Sequence, residues 1–123
     1  MRVRTLAFVT VLFLTTVSIG AGEQLTMKVS PSVSFAPANL IVRAIILQDA
    51  QNRAVEVVAE SPDFYRSSEL QLDGENAPRT STFEFRSLPS GTYEVKATLI
   101  GADGQARAQV RQQVNVIANG TGH

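Results

Sequence analysis

Four acidic residues set in turn-forming surroundings, Asp49, Asp73, Glu75 and Asp103, are the side chains of this chain best suited to hold a hard cation such as calcium, which needs several carboxylate oxygens. No Asp-x-Asp-x-Asp series accompanies them, and Asp next to Gly is equally the ordinary chemistry of a turn, so no metal is expected. A second constellation is Phe64-Tyr65-Arg66, two aromatics and an arginine following Ser61-Pro62-Asp63, the residue types that dominate binding hot spots. The competing use of such a ring is to plug the end of a core, where it buries much area. The parts of a catalytic triad or a common zinc site are lacking: the single histidine is His123, there is no cysteine, and no serine sits in a nucleophile elbow. The chain is therefore expected not to be an enzyme and to carry no cofactor.

The elements that must position these residues have a period of two. Leu25, Met27 and Val29 alternate with Thr26 and Lys28; Leu40, Val42, Ala44 and Ile46 with Arg43; Val55, Val57 and Ala59 with Glu56 and Glu60. A short strand from Ser67 to Leu72 follows, with Leu70 and Leu72 directed inward, then Thr80 to Arg86 with Phe83 and Phe85 as its core pair. Tyr93, Val95, Ala97 and Leu99 face one way and Thr92, Glu94, Lys96 and Thr98 the other, a register that cannot slip by one residue without burying Glu94 and Lys96. Ala102-Asp103-Gly104 then turns the chain into a last strand carrying Ala106, Ala108, Val110, Val114 and Val116 inward, with Gln112 breaking the series as a bulge or edge position. Ile41, Ile45 and Leu47 give the second strand a greasy outer face, a candidate docking surface. Seven short strands separated by turn signals predict an all-β, immunoglobulin-like sandwich of antiparallel strands in two sheets.

Bulk composition agrees with one such domain over residues 22–118, followed by a frayed tail at 119–123. With 123 residues, 44% hydrophobic and 18% charged, the chain is too short for two independent cores. Eleven basic and eleven acidic residues cancel, so no global field draws it to nucleic acid. Residues 1–21 read as a signal peptide: Arg2 and Arg4, an apolar stretch from Leu6 to Ile19, then Gly20, Ala21 and Gly22. That stretch of about 14 residues is short of the roughly 20 that span a bilayer, so export to the periplasm or beyond, with no membrane span after cleavage, is the expectation. Export without cysteine leans towards a bacterial envelope.

The segment Leu88-Pro89-Ser90-Gly91-Thr92-Tyr93-Glu94-Val95 resembles the corner before the sixth strand of bacterial immunoglobulin-like, PKD-like and fibronectin type III domains. The resemblance implies that Tyr93 buries its ring and sends its hydroxyl to a backbone group a few residues upstream, with Gly91 supplying the turn. It also implies a binding, spacer or adhesion module; the partner expected for the exported chain is a protein in the envelope or the extracellular space. The glycine-to-tyrosine spacing is one residue shorter than is usual in fibronectin type III domains, and the chain has no tryptophan. A carbohydrate-binding module, or a transthyretin-like accessory domain with its own Pro-x-Gly-Thr-Tyr ending, is the alternative.

Overall fold

The computed structural model describes residues 24–119. The expected signal peptide, residues 1–21, and all of the tail beyond Asn119 lie outside them. Among the described residues there are eight strands: β1 Leu25–Ser30, β2 Val33–Phe35, β3 Ala38–Ile46, β4 Asn52–Ser61, β5 Phe64–Gln71, β6 Thr80–Leu88, β7 Gly91–Gly101 and β8 Ala106–Ile117. They form two sheets, β1-β3-β6 and β2-β8-β7-β4-β5, stacked as a sandwich. No helix among the described residues is long and apolar enough to cross a membrane.

The core follows from alternation. Leu40, Val42 and Ala44 of β3, Phe83 and Phe85 of β6, Val55, Val57 and Ala59 of β4, and Tyr93, Val95, Ala97 and Leu99 of β7 are all buried in one cluster between the sheets. β-branched and aromatic side chains at every second position fit a pleated, half-buried surface, so these segments extend rather than coil.

Four expectations need correction. The strands number eight rather than seven, because Val33-Ser34-Phe35 pairs in parallel with Asn115-Val116-Ile117. Three residues between Pro31 and Pro37 carry too little periodicity to be seen as a strand, and the pairing means that the sandwich is not purely antiparallel. Leu70 lies on the core side, opposite Val55, but is not buried: it is 41% exposed, because β5 overhangs a facing sheet of only three strands. The irregularity of β8 lies at Arg107 rather than Gln112. Leu99 pairs with Ala108 but Ile100 pairs with Ala106, so Arg107 is the extra residue of a bulge, and Ala106, past that slip, is exposed. Finally, the outer apolar residues of β3 are only partly open: Ile41 and Ile45 are half-buried, while Leu47, just past the strand, is exposed.

Candidate functional site

The four carboxylates singled out for a cation do come to one end of the sandwich, but two arginines divide them. Asp49 accepts a hydrogen bond from the Gln51 backbone N–H at 2.8 Å, and its Oδ1 lies 3.5 Å from Arg107 Nη1. Asp103 closes its own turn by accepting from the Gln105 N–H at 3.0 Å. Asp73 precedes and Glu75 lies within a short 3-10 turn, Gly74–Asn76, whose Gly74 packs against Ala50 and Arg53. Among the described residues no three acidic, histidine or cysteine side chains converge on a point where a metal could sit.

What organises this end is Asn52, which sequence reasoning passed over. Its side chain is buried, donates to the Leu47 carbonyl at 3.1 Å and accepts from Arg107 Nη1 at 2.6 Å. The bulge at Arg107 aims the guanidinium inward to meet it. Arg53 adds bonds to the Ala50 and Asn52 carbonyls. The Asn52 and Arg53 bonds brace the loop before β4 internally, the Arg107 bond to Asn52 fastens the start of β8 to it, and Gln48 Nε2, donating to the Ala77 carbonyl at 2.8 Å, ties in the loop after β5. Buried polar groups are thereby satisfied that would otherwise cost about 1 to 3 kcal/mol each. The Gln51 N–H above all, with Arg107 in support and partial desolvation opposing, holds the Asp49 carboxyl below the usual aspartate range.

At the opposite end, Phe64-Tyr65-Arg66 begins a strand instead of decorating a loop. Ser61 pairs with Phe64 across a two-residue Pro62-Asp63 turn, so the alternation of β5 splits the trio. Phe64 turns to the core side, where its ring meets Tyr93 edge-on at 6.2 Å. Arg66 lies on the same side, 5.1 Å from the Phe64 ring centre, and donates to the Arg86 carbonyl at 2.8 Å. Tyr65 falls on the outer face, opposite Glu60, and is 59% exposed. Tyr93 is fully buried and its hydroxyl donates to the Pro89 carbonyl at 2.7 Å, with Gly91 set against Ser61 at a φ of +155°. Burial pushes the Tyr93 phenol up, while the Ser61 hydroxyl and the Arg66 charge pull the other way.

Tyr65 leads to the arrangement with the most chemical character, the outer face of the five-stranded sheet. Register sets Tyr65, Glu60, Glu94 and Gln113 in one row across β5, β4, β7 and β8. The next row holds Ser67, Val58, Lys96 and Arg111, and the one after it Glu69, Glu56, Thr98 and Gln109. Glu60 therefore stands directly opposite Glu94, and Glu56 directly opposite Glu69. Like charges in such positions are destabilising. Arg111 Nε, 3.6 Å from Glu94 Oε2, offsets one of the four carboxylates, and no ion pair is formed by Glu60 among the described residues. A chain of zero net charge has thus gathered an acidic surface, with one lysine and one arginine against four glutamates. A shallow cleft of about 430 Å³ opens on it, lined by Glu60, Pro62, Thr92, Glu94, Arg111 and Gln113 among others. Nothing in a linear reading joins these residues, since four strands contribute them.

No protein-family model matches the chain, and no curated protein matches it in sequence. Solved structures do share its fold. Two are superoxide reductases (neelaredoxins) from Ignicoccus hospitalis, both variants carrying a single substitution. One has a TM-score of 0.59 at 15% identity, over 76% of this chain and 79% of that one. The other gives 0.61 at 16%, over 80% and 84%. A family 76 glycoside hydrolase from a bovine Bacteroides thetaiotaomicron strain matches with 0.54 at 18% identity, over 75% of this chain but only 20% of its own. At such identities the likeness is one of fold, an immunoglobulin-like β-sandwich. It corrects one expectation of the sequence: two of the structures built on this sandwich are enzymes, so the reading of the chain as not an enzyme is overturned, and the architecture gives no ground for excluding catalysis.

Proposed function

We propose that the chain is an exported immunoglobulin-like module of the cell envelope that binds a protein through the acidic outer face of its five-stranded sheet. The observation that carries this reading is the pair of glutamates, Glu60 and Glu94, set opposite each other beside a cleft, with Arg111 reaching Glu94 alone and the exposed ring of Tyr65 at the rim. Uncompensated like charge on a folded surface costs stability, and a partner that brings basic side chains removes that cost on binding. Tyrosine and arginine supply the contact area and the directional bonds. The resemblance of the Pro89-to-Tyr93 corner to fibronectin type III and related modules supports the same class, and the basic, apolar and small-residue order of residues 1–21 supports export.

A sugar-binding role needs a platform of coplanar rings. With Phe64 turned onto Tyr93, Tyr65 is left alone on the face, so the geometry favours a protein partner. The test is crosslinking in the native host, with capture compared between the wild-type chain and a Glu60→Lys/Glu94→Lys double variant. Loss of one captured envelope protein in the variant, and indifference of capture to soluble sugars, is the expected result. Capture unchanged by charge reversal would remove this face from consideration, and competition by sugars would replace the partner class. Fusion of residues 1–30 to a reporter that is active only outside the cytoplasm checks export separately.

A further inference from the structure

We propose that β5 is the contact edge of a symmetric dimer in which two copies of this chain join their five-stranded sheets through antiparallel β5 strands. The proposal goes beyond the binding face above and rests on the backbone of one strand. β5 is the last strand of its sheet, eight residues long, paired on one side only with β4 in an unbroken register from Ala54–Gln71 to Ser61–Phe64. It contains no proline, glycine or bulge, three of the devices that protect an edge; its two charged residues are Glu69 and Arg66, the latter drawn onto the Phe64 ring and the Arg86 carbonyl. The other edge of the same sheet is protected: β2 is three residues long and flanked by Pro31 and Pro37. The β6 edge is occupied at its end by the Arg66 side chain on the Arg86 carbonyl, and breaks at Ser87, whose φ is +58°.

Which backbone groups are free follows from one bond. The Leu72 N–H donates to the Arg53 carbonyl, so even-numbered residues of β5 turn their N–H and C=O to β4, and Tyr65, Ser67, Glu69 and Gln71 turn theirs to the open edge. A two-fold axis normal to the sheet pairs residues of equal parity and keeps core side with core side. Centred on Ser67, it places Ser67 opposite Ser67 of the second copy, Tyr65 opposite Glu69, and Phe64 opposite Leu70. About six backbone hydrogen bonds form along the seam. The match is self-complementary on both faces. On the core side, Leu70, 41% exposed because the facing sheet stops short of it, comes against the Phe64 ring in a non-hydrogen-bonded pair, where side chains approach most closely. On the outer side, the exposed Tyr65 hydroxyl meets the Glu69 carboxylate. Arg66 is held back on Phe64 and Arg86, which keeps its charge from the Arg66 of the second copy.

The absence of native cysteine makes the seam easy to test on the whole chain. Under mild oxidation, Ser67→Cys is expected to give a disulfide-linked dimer as its main product, whereas Gln71→Cys, several residues from the axis, stays monomeric. Ser67→Pro removes a donor from the free edge while leaving every N–H that β4 uses; it is expected to lower the dimer fraction of the purified chain in sedimentation equilibrium at least tenfold without unfolding it. Leu70→Lys is expected to do the same from the core side. A wild-type chain that sediments as a monomer, equal crosslinking of the Ser67→Cys and Gln71→Cys variants, or a dimer untouched by both Ser67→Pro and Leu70→Lys overturns the proposal. None of these outcomes depends on the glutamates that test the binding face.

Discussion

Tyr93 concentrates the local energetics of the domain. Its ring is fully buried, Phe64 packs on it edge-on, and its hydroxyl spans the corner to the Pro89 carbonyl. Tyr93→Phe keeps the ring and orphans that carbonyl, so it is expected to cost about 1 to 3 kcal/mol in urea unfolding. The phenol also sets a limit at high pH. Burial raises its folded pKa above the ordinary value near 10, so the folded state favours the neutral form; that contribution is intact below the ordinary value and is lost as pH rises through the folded one. Stability of the wild-type chain should therefore fall above about pH 10 by a component that is absent in the Tyr93→Phe variant. Gly91, two residues earlier, takes a backbone angle that side chains rarely adopt, and a Cβ there would meet Ser61 at 3.3 Å. Gly91→Ala is expected to destabilise by about 1 to 3 kcal/mol, measured in the same way.

At the scale of the element, β5 and β6 show opposite relations between pattern and burial. β6 alternates strictly, with Ser81, Phe83 and Phe85 buried and Thr80, Thr82 and Glu84 exposed, because β3 beside it and the larger sheet facing it enclose one side. Phe85→Ala should leave a cavity worth about 3 to 5 kcal/mol; a loss below about 1 in chemical denaturation would contradict the packing of this strand. β5 alternates less and buries almost nothing, with Phe64 half-covered and every later residue of the strand exposed. Leu70 is a reasonable inward residue by spacing. Only the width of the opposite sheet, three strands against five, decides that it has nothing to pack on. Arg107 makes the same point on β8: a bulge is a pairing event between two strands, and neither strand alone carries its mark.

For the molecule as a whole, charge is the informative quantity. A formal net charge of zero hides an outer sheet face with four glutamates. If that face docks a basic protein, the affinity measured for the captured partner should drop steeply between about 0.05 and 0.5 M salt, because the Debye length shrinks from roughly 14 to 4 Å over that range. Salt-independent affinity would point to an apolar contact such as the one around Ile41, Ile45 and Leu47. The two ends of the sandwich divide the remaining work: the Asn52–Arg107 latch fastens one set of loops, and the Tyr93 corner with Phe64 and Arg66 closes the other.

Residue order alone determined the β character, the inward rows of β3, β4, β6 and β7, and the Gly91-to-Tyr93 corner, because period-two burial and turn chemistry are local properties written in consecutive residues. Only the tertiary structure decided that Asp49 and Asp103 lie around Arg107 instead of gathering with Asp73 and Glu75, that Tyr65 parts from Phe64 and Arg66, and that Glu60 meets Glu94. Those outcomes depend on which strands become neighbours and how far each sheet extends. Such choices are made by long-range pairing, which leaves no period in the chain.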